Sequence, residues 1–119
     1  MTEPIPPAQC HTMADVRTGI DDVDRRIVEL IATRFGYMDA AARIKPDRSV
    51  VRDEWRKADV LTKVDAAATQ MRVDRALMAR LYQDLIETSI AHEYGEFDRL
   101  RSEGGGAGRC RLTEPDASA

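Results

Sequence analysis

Apolar residues recur at every third or fourth position through most of this chain, the spacing of one helix face rather than the alternation of a strand. Met13, Val16, Ile20, Val23, Ile27, Leu30, Tyr37, Ala41 and Ile44 follow it first, with Arg34 in a beat where another apolar side chain would fall. The stretch opens at Thr12, with Asp15 three residues on as a relative of the capping box. It stops at Lys45-Pro46, because a residue before proline is pushed out of the helical region. A loop from Pro46 to about Val51 follows. The second helix places Val60, Val64, Ala67 and Met71 on one face, and the same line continued backwards meets Arg56 and Asp53. The third, capped by Asp74, carries Met78, Leu81, Tyr82, Leu85, Ile86, Ser89, Ile90, Phe97 and Leu100, with Glu93 standing in the same line.

Between residues 12 and 102 the only proline is Pro46 and the only glycines are Gly19, Gly36 and Gly95, a low breaker content that favours long helices. The pattern therefore predicts an all-α domain of three helices over 12–102. Two tails flank it, 1–11 with Pro4, Pro6 and Pro7, and 103–119 with Gly104, Gly105, Gly106, Gly108 and Pro115; both are expected to be mobile. Some thirty residues at 1.5 Å each make the first helix about 45 Å long, against about 30 Å across a compact domain of this size. One protomer cannot cover such a stripe, so an intertwined homodimer pairing the long helix with its copy is expected.

Charge narrows the partners. A formal net charge of −3 lacks the basic field that collects nucleic-acid phosphates. No run reaches the length of a membrane span, and the first ten residues have neither the basic nor the apolar region of an export signal, so a cytoplasmic protein is expected. Cys10 and Cys110 lie in the tails, outside any disulfide or metal-binding spacing. Fifteen of the eighteen basic residues are arginine, whose planar fork suits carboxylates and phosphates, although a GC-rich genome gives the same bias.

The informative residues are polar ones on faces that should be buried: Arg34, Lys45, Asp53, Arg56 and Glu93. Buried charges are costly unless paired or ligand-bound. An internal salt-bridge network of Arg34, Asp53, Arg56 and Glu93 is one account; the other follows from three cations against two acids, which leaves room for an anionic ligand. Arg34 and Lys45 are eleven residues apart, almost a whole number of turns, and so point to one side. Arg17, seventeen residues before Arg34, lies about 25 Å away along the same axis, but an antiparallel copy of the helix could bring its Arg17 alongside. His11 and His92 have no partner at triad or metal-site spacing, and no phosphate-binding glycine loop is present. A cation-lined helical pocket without nucleophile or metal suits a reaction needing charge stabilisation and restraint alone, such as a pericyclic rearrangement.

At this point the chain resembles the all-helical chorismate mutases, a family that includes the related isochorismate pyruvate lyases. The carriers are Met13-Ala14-Asp15-Val16-Arg17, Ile20-Asp21-Asp22-Val23-Asp24, Ile27-Val28-Glu29-Leu30-Ile31 leading to Arg34, and Ala40-Ala41-Ala42-Arg43-Ile44-Lys45, with the spacing from Arg56 to Glu93. The resemblance covers about residues 10–101. It implies an intertwined helical dimer with two shared active sites, a small-molecule substrate (chorismate or isochorismate), and no metal or other cofactor. By resemblance, Arg34 holds one substrate carboxylate, Arg17 of the other subunit the second, and Lys45 the ether oxygen of the breaking bond, with Glu93 assisting there. Arg56 and Ser89 line the pocket, Asp53 sits near the substrate hydroxyl, and the loop from Pro46 closes over it. Two positions depart from the common pattern: Lys57 stands where many mutases have a glutamate, and Glu93 where many members have glutamine and some mutases glutamate.

The reading that results is a chorismate mutase making prephenate for aromatic amino-acid synthesis. Its enzymatic alternative is an isochorismate pyruvate lyase making salicylate and pyruvate, and its non-enzymatic alternative a helical dimer whose arginines serve a protein partner.

Overall fold

A computed structural model describes residues 3–106, and every regular element in them is helical. Three long helices dominate: α1, Met13–Ile44; α2, Glu54–Met71; and α3, Arg75–Gly106. The all-α expectation holds. The chain divides into two units, one ending at Gly36 and the other starting at Tyr37.

In the first unit the start of α1 forms as its sequence dictates. Asp15 N–H donates to Thr12 Oγ1 at 3.1 Å while Asp15 Oδ2 accepts from the N–H groups of Thr12 (3.3 Å) and His11 (3.1 Å), a reciprocal capping box. The His11 backbone bond, with those from Thr12, holds the Asp15 carboxyl below its ordinary range. Residues ahead of it have more structure than a mobile tail implies. Pro7–Gln9 make a 3-10 turn, closed by Gln9 N–H to Pro6 O (2.9 Å), because proline presets the backbone for helical entry. Pro4 to Pro7 and Cys10 border a cavity of about 630 Å³ whose other wall is α1 from Val16 to Arg26. The apolar stripe of α1 faces outward in the single chain: Ile20 is 53% exposed and Leu30 70%.

In the second unit α2 packs against α3, and a 3-10 turn, Arg48–Val50, also rests on α3. The caps are local: Asp53 Oδ1 accepts from Arg56 N–H (3.0 Å) at the start of α2, and Asp74 Oδ1 from Leu77 N–H (3.0 Å) at the start of α3. The expected face of α3 is buried from Ile86 through Ser89, Ile90, Glu93 and Phe97, whereas Leu81, near its start, is exposed. On α2 the expected stripe drifts off phase: Ala68 is buried, whereas Ala67 and Met71 are exposed. Packing along the 3.6-residue period from Val60 and Val64 arrives at 68 rather than at 67 and 71. Ala42, from the last turns of α1, is buried with Val51 and Phe97, flanked by Tyr94 and Leu100. Trp55, on the first turn of α2, is 79% exposed.

The tail expected from residue 103 is helical to Gly106, and from 107 on it lies outside the described residues, as does Cys110. Among the described residues no helix is long and apolar enough to cross a membrane.

Candidate active site

The candidate residues fall in both units. Arg17, exposed, and Arg34, half-buried, belong to the first; Lys45, Asp53, Arg56, Ser89 and Glu93 belong to the second. Within the second unit one contact dominates. Lys45 follows the last residue of α1, Glu93 lies on the buried face of α3, and Lys45 Nζ sits 2.7 Å from Glu93 Oε2. Glu93 is only 3% exposed. The ammonium also donates to Val51 O at 3.1 Å, so it is held between a helix and the connector that follows its own.

The ion pair is close in distance but lacks the alignment of a hydrogen bond. Among the described residues no hydrogen bond reaches Glu93 Oε2, which is buried. Its close contact is the Lys45 ammonium, and the oxygen keeps acceptor capacity to spare. The salt-bridge account expects Glu93 in a network with Arg34, Asp53 and Arg56; its ion-pair partner among the described residues is Lys45, because Ala42 near the end of α1 and Val51 of the connector pack with Phe97 of α3.

Two other expectations change in detail. The inward stripe of the second helix is expected to reach Arg56 and Asp53, but Asp53 precedes α2, which begins at Glu54, and Arg56 lies within α2 on its outer side. Asp53 is the cap, with Oδ1 committed to Arg56 N–H. Arg56 is exposed, and its guanidinium turns along the helix to Asp59 Oδ2 at 2.7 Å. Lys63 first, and Arg56 with it, holds the Asp59 carboxyl below its ordinary range. Ser89 lies one turn before Glu93 on the same buried face and donates to Leu85 O at 2.6 Å. His92 is exposed and meets Asp39 Oδ1 at 2.6 Å.

Lys57, the departure from the common pattern, is engaged by a residue the sequence did not single out. Glu87 Oε2 lies 2.6 Å from Lys57 Nζ, and Arg52 Nη2 lies 2.6 Å from Glu87 Oε1. Two cations thus converge on one carboxylate across the α2–α3 seam. Hydrogen bonds from Arg52, then Lys57, lower the Glu87 carboxyl from 4.5 to about 2. Its folded pKa is depressed, so the stability it lends is complete above about 4.5 and is lost as pH falls through about 2. Solvent screens this partly exposed cluster, which reduces the effect without changing its sign. We expect Glu87→Gln to melt below the wild type at pH 7, with the gap closing between pH 4.5 and 2. Thermal unfolding followed by circular dichroism reads this directly; equal melting temperatures at pH 7 would show the cluster to be neutral for stability.

Other residues outside the sequence-based set are Arg48, Asp98 and Arg101. Arg48 donates to Asp98 Oδ1 (2.9 Å) and Oδ2 (3.2 Å) and lies over the Tyr94 ring at 4.5 Å, pinning the connector to α3. No apolar periodicity betrays such a pair, since both residues are exposed; the spacing from Tyr94 to Asp98, one helical turn, is the only trace. Among the described residues no group of three or more His, Cys, Asp or Glu side chains is placed to hold a metal.

Residues 16–94 match the family model described as chorismate mutase type II. The chain is also 29% identical over 87 residues to a Pseudomonas aeruginosa protein described as isochorismate pyruvate lyase, an alignment covering 73% of this chain and 86% of that one.

Proposed function

The chain belongs to the chorismate mutase type II family, and from that premise we propose that it is a chorismate mutase, rearranging chorismate to prephenate for aromatic amino-acid synthesis. The observation that carries the proposal is the 2.7 Å pairing of half-buried Lys45 with buried Glu93, whose Oε2 keeps acceptor capacity to spare. In this reaction the ether C–O bond breaks while a C–C bond forms within the same molecule, so no group leaves and no proton is consumed. Negative charge gathers on the ether oxygen in the transition state. A preorganised ammonium at that point stabilises the transition state more than the ground state.

In this reading Lys45 Nζ turns from Glu93 to the ether oxygen when substrate binds, and Glu93, taking up a proton from solvent as it loses that ion-pair partner, donates a second hydrogen bond to the same oxygen. Arg34 holds one carboxylate and Arg17 of a second copy the other. Asp53 accepts from the ring hydroxyl through Oδ2, since Oδ1 caps α2. Arg56 reaches the pocket by leaving Asp59, and Ser89 lines its floor. The outward apolar stripe of α1, with Tyr37 70% exposed as well as Leu30, supports an intertwined homodimer that covers it. Positioning and charge suffice for the chemistry, and no cofactor takes part.

The second reading, an isochorismate pyruvate lyase, is favoured by the similarity to the Pseudomonas aeruginosa protein. Purified protein incubated separately with chorismate and isochorismate decides between them: prephenate from the first supports the mutase, salicylate and pyruvate from the second the lyase. Neither product would return the chain to a non-enzymatic role.

Glu93 has its own test. An ionised carboxylate only accepts hydrogen bonds and repels charge on the ether oxygen, whereas an amide always has a donor. Glu93→Gln should therefore keep substantial turnover, and Glu93→Ala should lose most of it. A glutamine variant as inactive as the alanine variant would reduce Glu93 to a structural counter-ion of Lys45.

A further inference from the structure

The end of α1 carries an unusual bonding demand. Lys45 N–H reaches Ala41 O at 2.9 Å, but the next residue is Pro46, which has no N–H to give to Ala42 O. Lys45 O lacks its helical donor too, because Ser49 N–H turns to Asp47 Oδ1 at 3.2 Å. Arg101 meets both needs. Its Nη1 donates to Ala42 O and its Nη2 to Lys45 O, each at 2.6 Å. The guanidinium carbon lies 3.6 Å from the centre of the Phe97 ring, which is buried with Ala42 and Val51. A cation at a helix C-terminus is also favoured by the helix dipole.

We infer that Arg101 is a positioning residue for Lys45, fixing the backbone of the residue whose ammonium serves the reaction. The inference rests on the role proposed for Lys45 above. Its physical content is that α3 grips Lys45 at both ends: Glu93 meets the ammonium and Arg101 the carbonyl, eight residues further along and about 12 Å up the same helix. Without the guanidinium, two carbonyls lose their donors, the last turn of α1 can fray, and the ammonium spreads over several positions. Displacement of a catalytic group by 1 Å can cost about 10²-fold in rate, while substrate carboxylates are bound elsewhere. Turnover should suffer and affinity should not.

The test uses Arg101→Met, which keeps a stem against Phe97, and Arg101→Lys, which keeps the charge and one of the two bonds. Turnover of the methionine variant should fall by about tenfold or more with KM within about twofold of wild type, the split expected for a group acting in the transition state. Millimolar methylguanidinium should restore part of it, and the lysine variant should lie between. A second readout does not need the reaction. The wild-type chain has three lysines, Lys45, Lys57 and Lys63, so protein labelled with carbon-13 at lysine Cε gives a spectrum that single lysine-to-arginine variants assign. Arg101→Met should move the Lys45 signal toward that of exposed Lys63 and leave the Lys57 and Lys63 signals in place; Arg101→Lys, whose spectrum gains a fourth signal and is assigned by the same lysine-to-arginine changes made in that variant, should move the Lys45 signal to a smaller extent. An unmoved Lys45 signal in the lysine variant overturns the inference, whether or not the methionine variant folds. Unchanged turnover in the methionine variant overturns it too. A wild type inactive on both substrates, with the Lys45 signal moving as expected, overturns the assigned function and upholds the grip of Arg101 on Lys45.

Discussion

Lys45→Ala should lower turnover by about 10²–10³-fold, the cost of removing one preorganised donor from a site where charge develops. The Michaelis constant should change much less, because the substrate carboxylates are assigned to the arginines. The variant also strands Glu93, a buried carboxylate whose ion-pair partner among the described residues is Lys45. Breaking a buried pair from one side destabilises by about 3–5 kcal/mol when both partners are buried, and by less here because Lys45 is part-exposed. The double variant Lys45→Ala, Glu93→Gln separates the two effects, since it removes the stranded charge. A double variant that melts like wild type yet stays slow identifies the loss as chemical. A change confined to the Michaelis constant, with turnover intact, would mean that Lys45 only collects substrate.

Arg17→Ala and Arg34→Ala proteins, each nearly inactive alone, should regain activity when unfolded and refolded together. The arithmetic follows from a site that takes Arg34 from one chain and Arg17 from the other. A mixed dimer then has one site with both lesions and one with neither, so its activity should approach half that of a wild-type dimer. Light scattering and a tag on one partner establish how much heterodimer is present. No recovery in a mixture shown to contain it would confine the site to one chain.

What could be read in advance was decided by the range of each signal. Thr12 with Asp15, Lys45-Pro46, and Asp74 act within one turn of chain, and each begins or ends a helix where the local pattern places it. The buried line of α3 was legible because burial enforces a period, and Glu93 stood out as the wrong residue type within it. Periodicity cannot show where a helix begins, so the line through Val60 and Val64 ran on to Arg56 and Asp53 although the backbone had already turned at 53. Nor does it hold information on which distant charges meet. Glu93 could be seen to need a partner, but whether that was Lys45, Arg34 or Arg56 depends on how the connector folds, which is settled by Val51 entering the core. Arg101 had one sequence trace, the carbonyl that Pro46 leaves without a donor, and nothing local says which side chain supplies it.

Trp55 gives the protein a built-in optical probe. It is the sole tryptophan in the chain, and it is 79% exposed on the first turn of α2, two residues after the Asp53 cap. Its indole emission therefore comes from one address, and an indole in water emits at longer wavelength than one that is covered. Binding of a ligand beside that cap, or arrival of a second subunit over it, would register as a blue shift in unlabelled protein, and the native chain can be followed in real time without a dye.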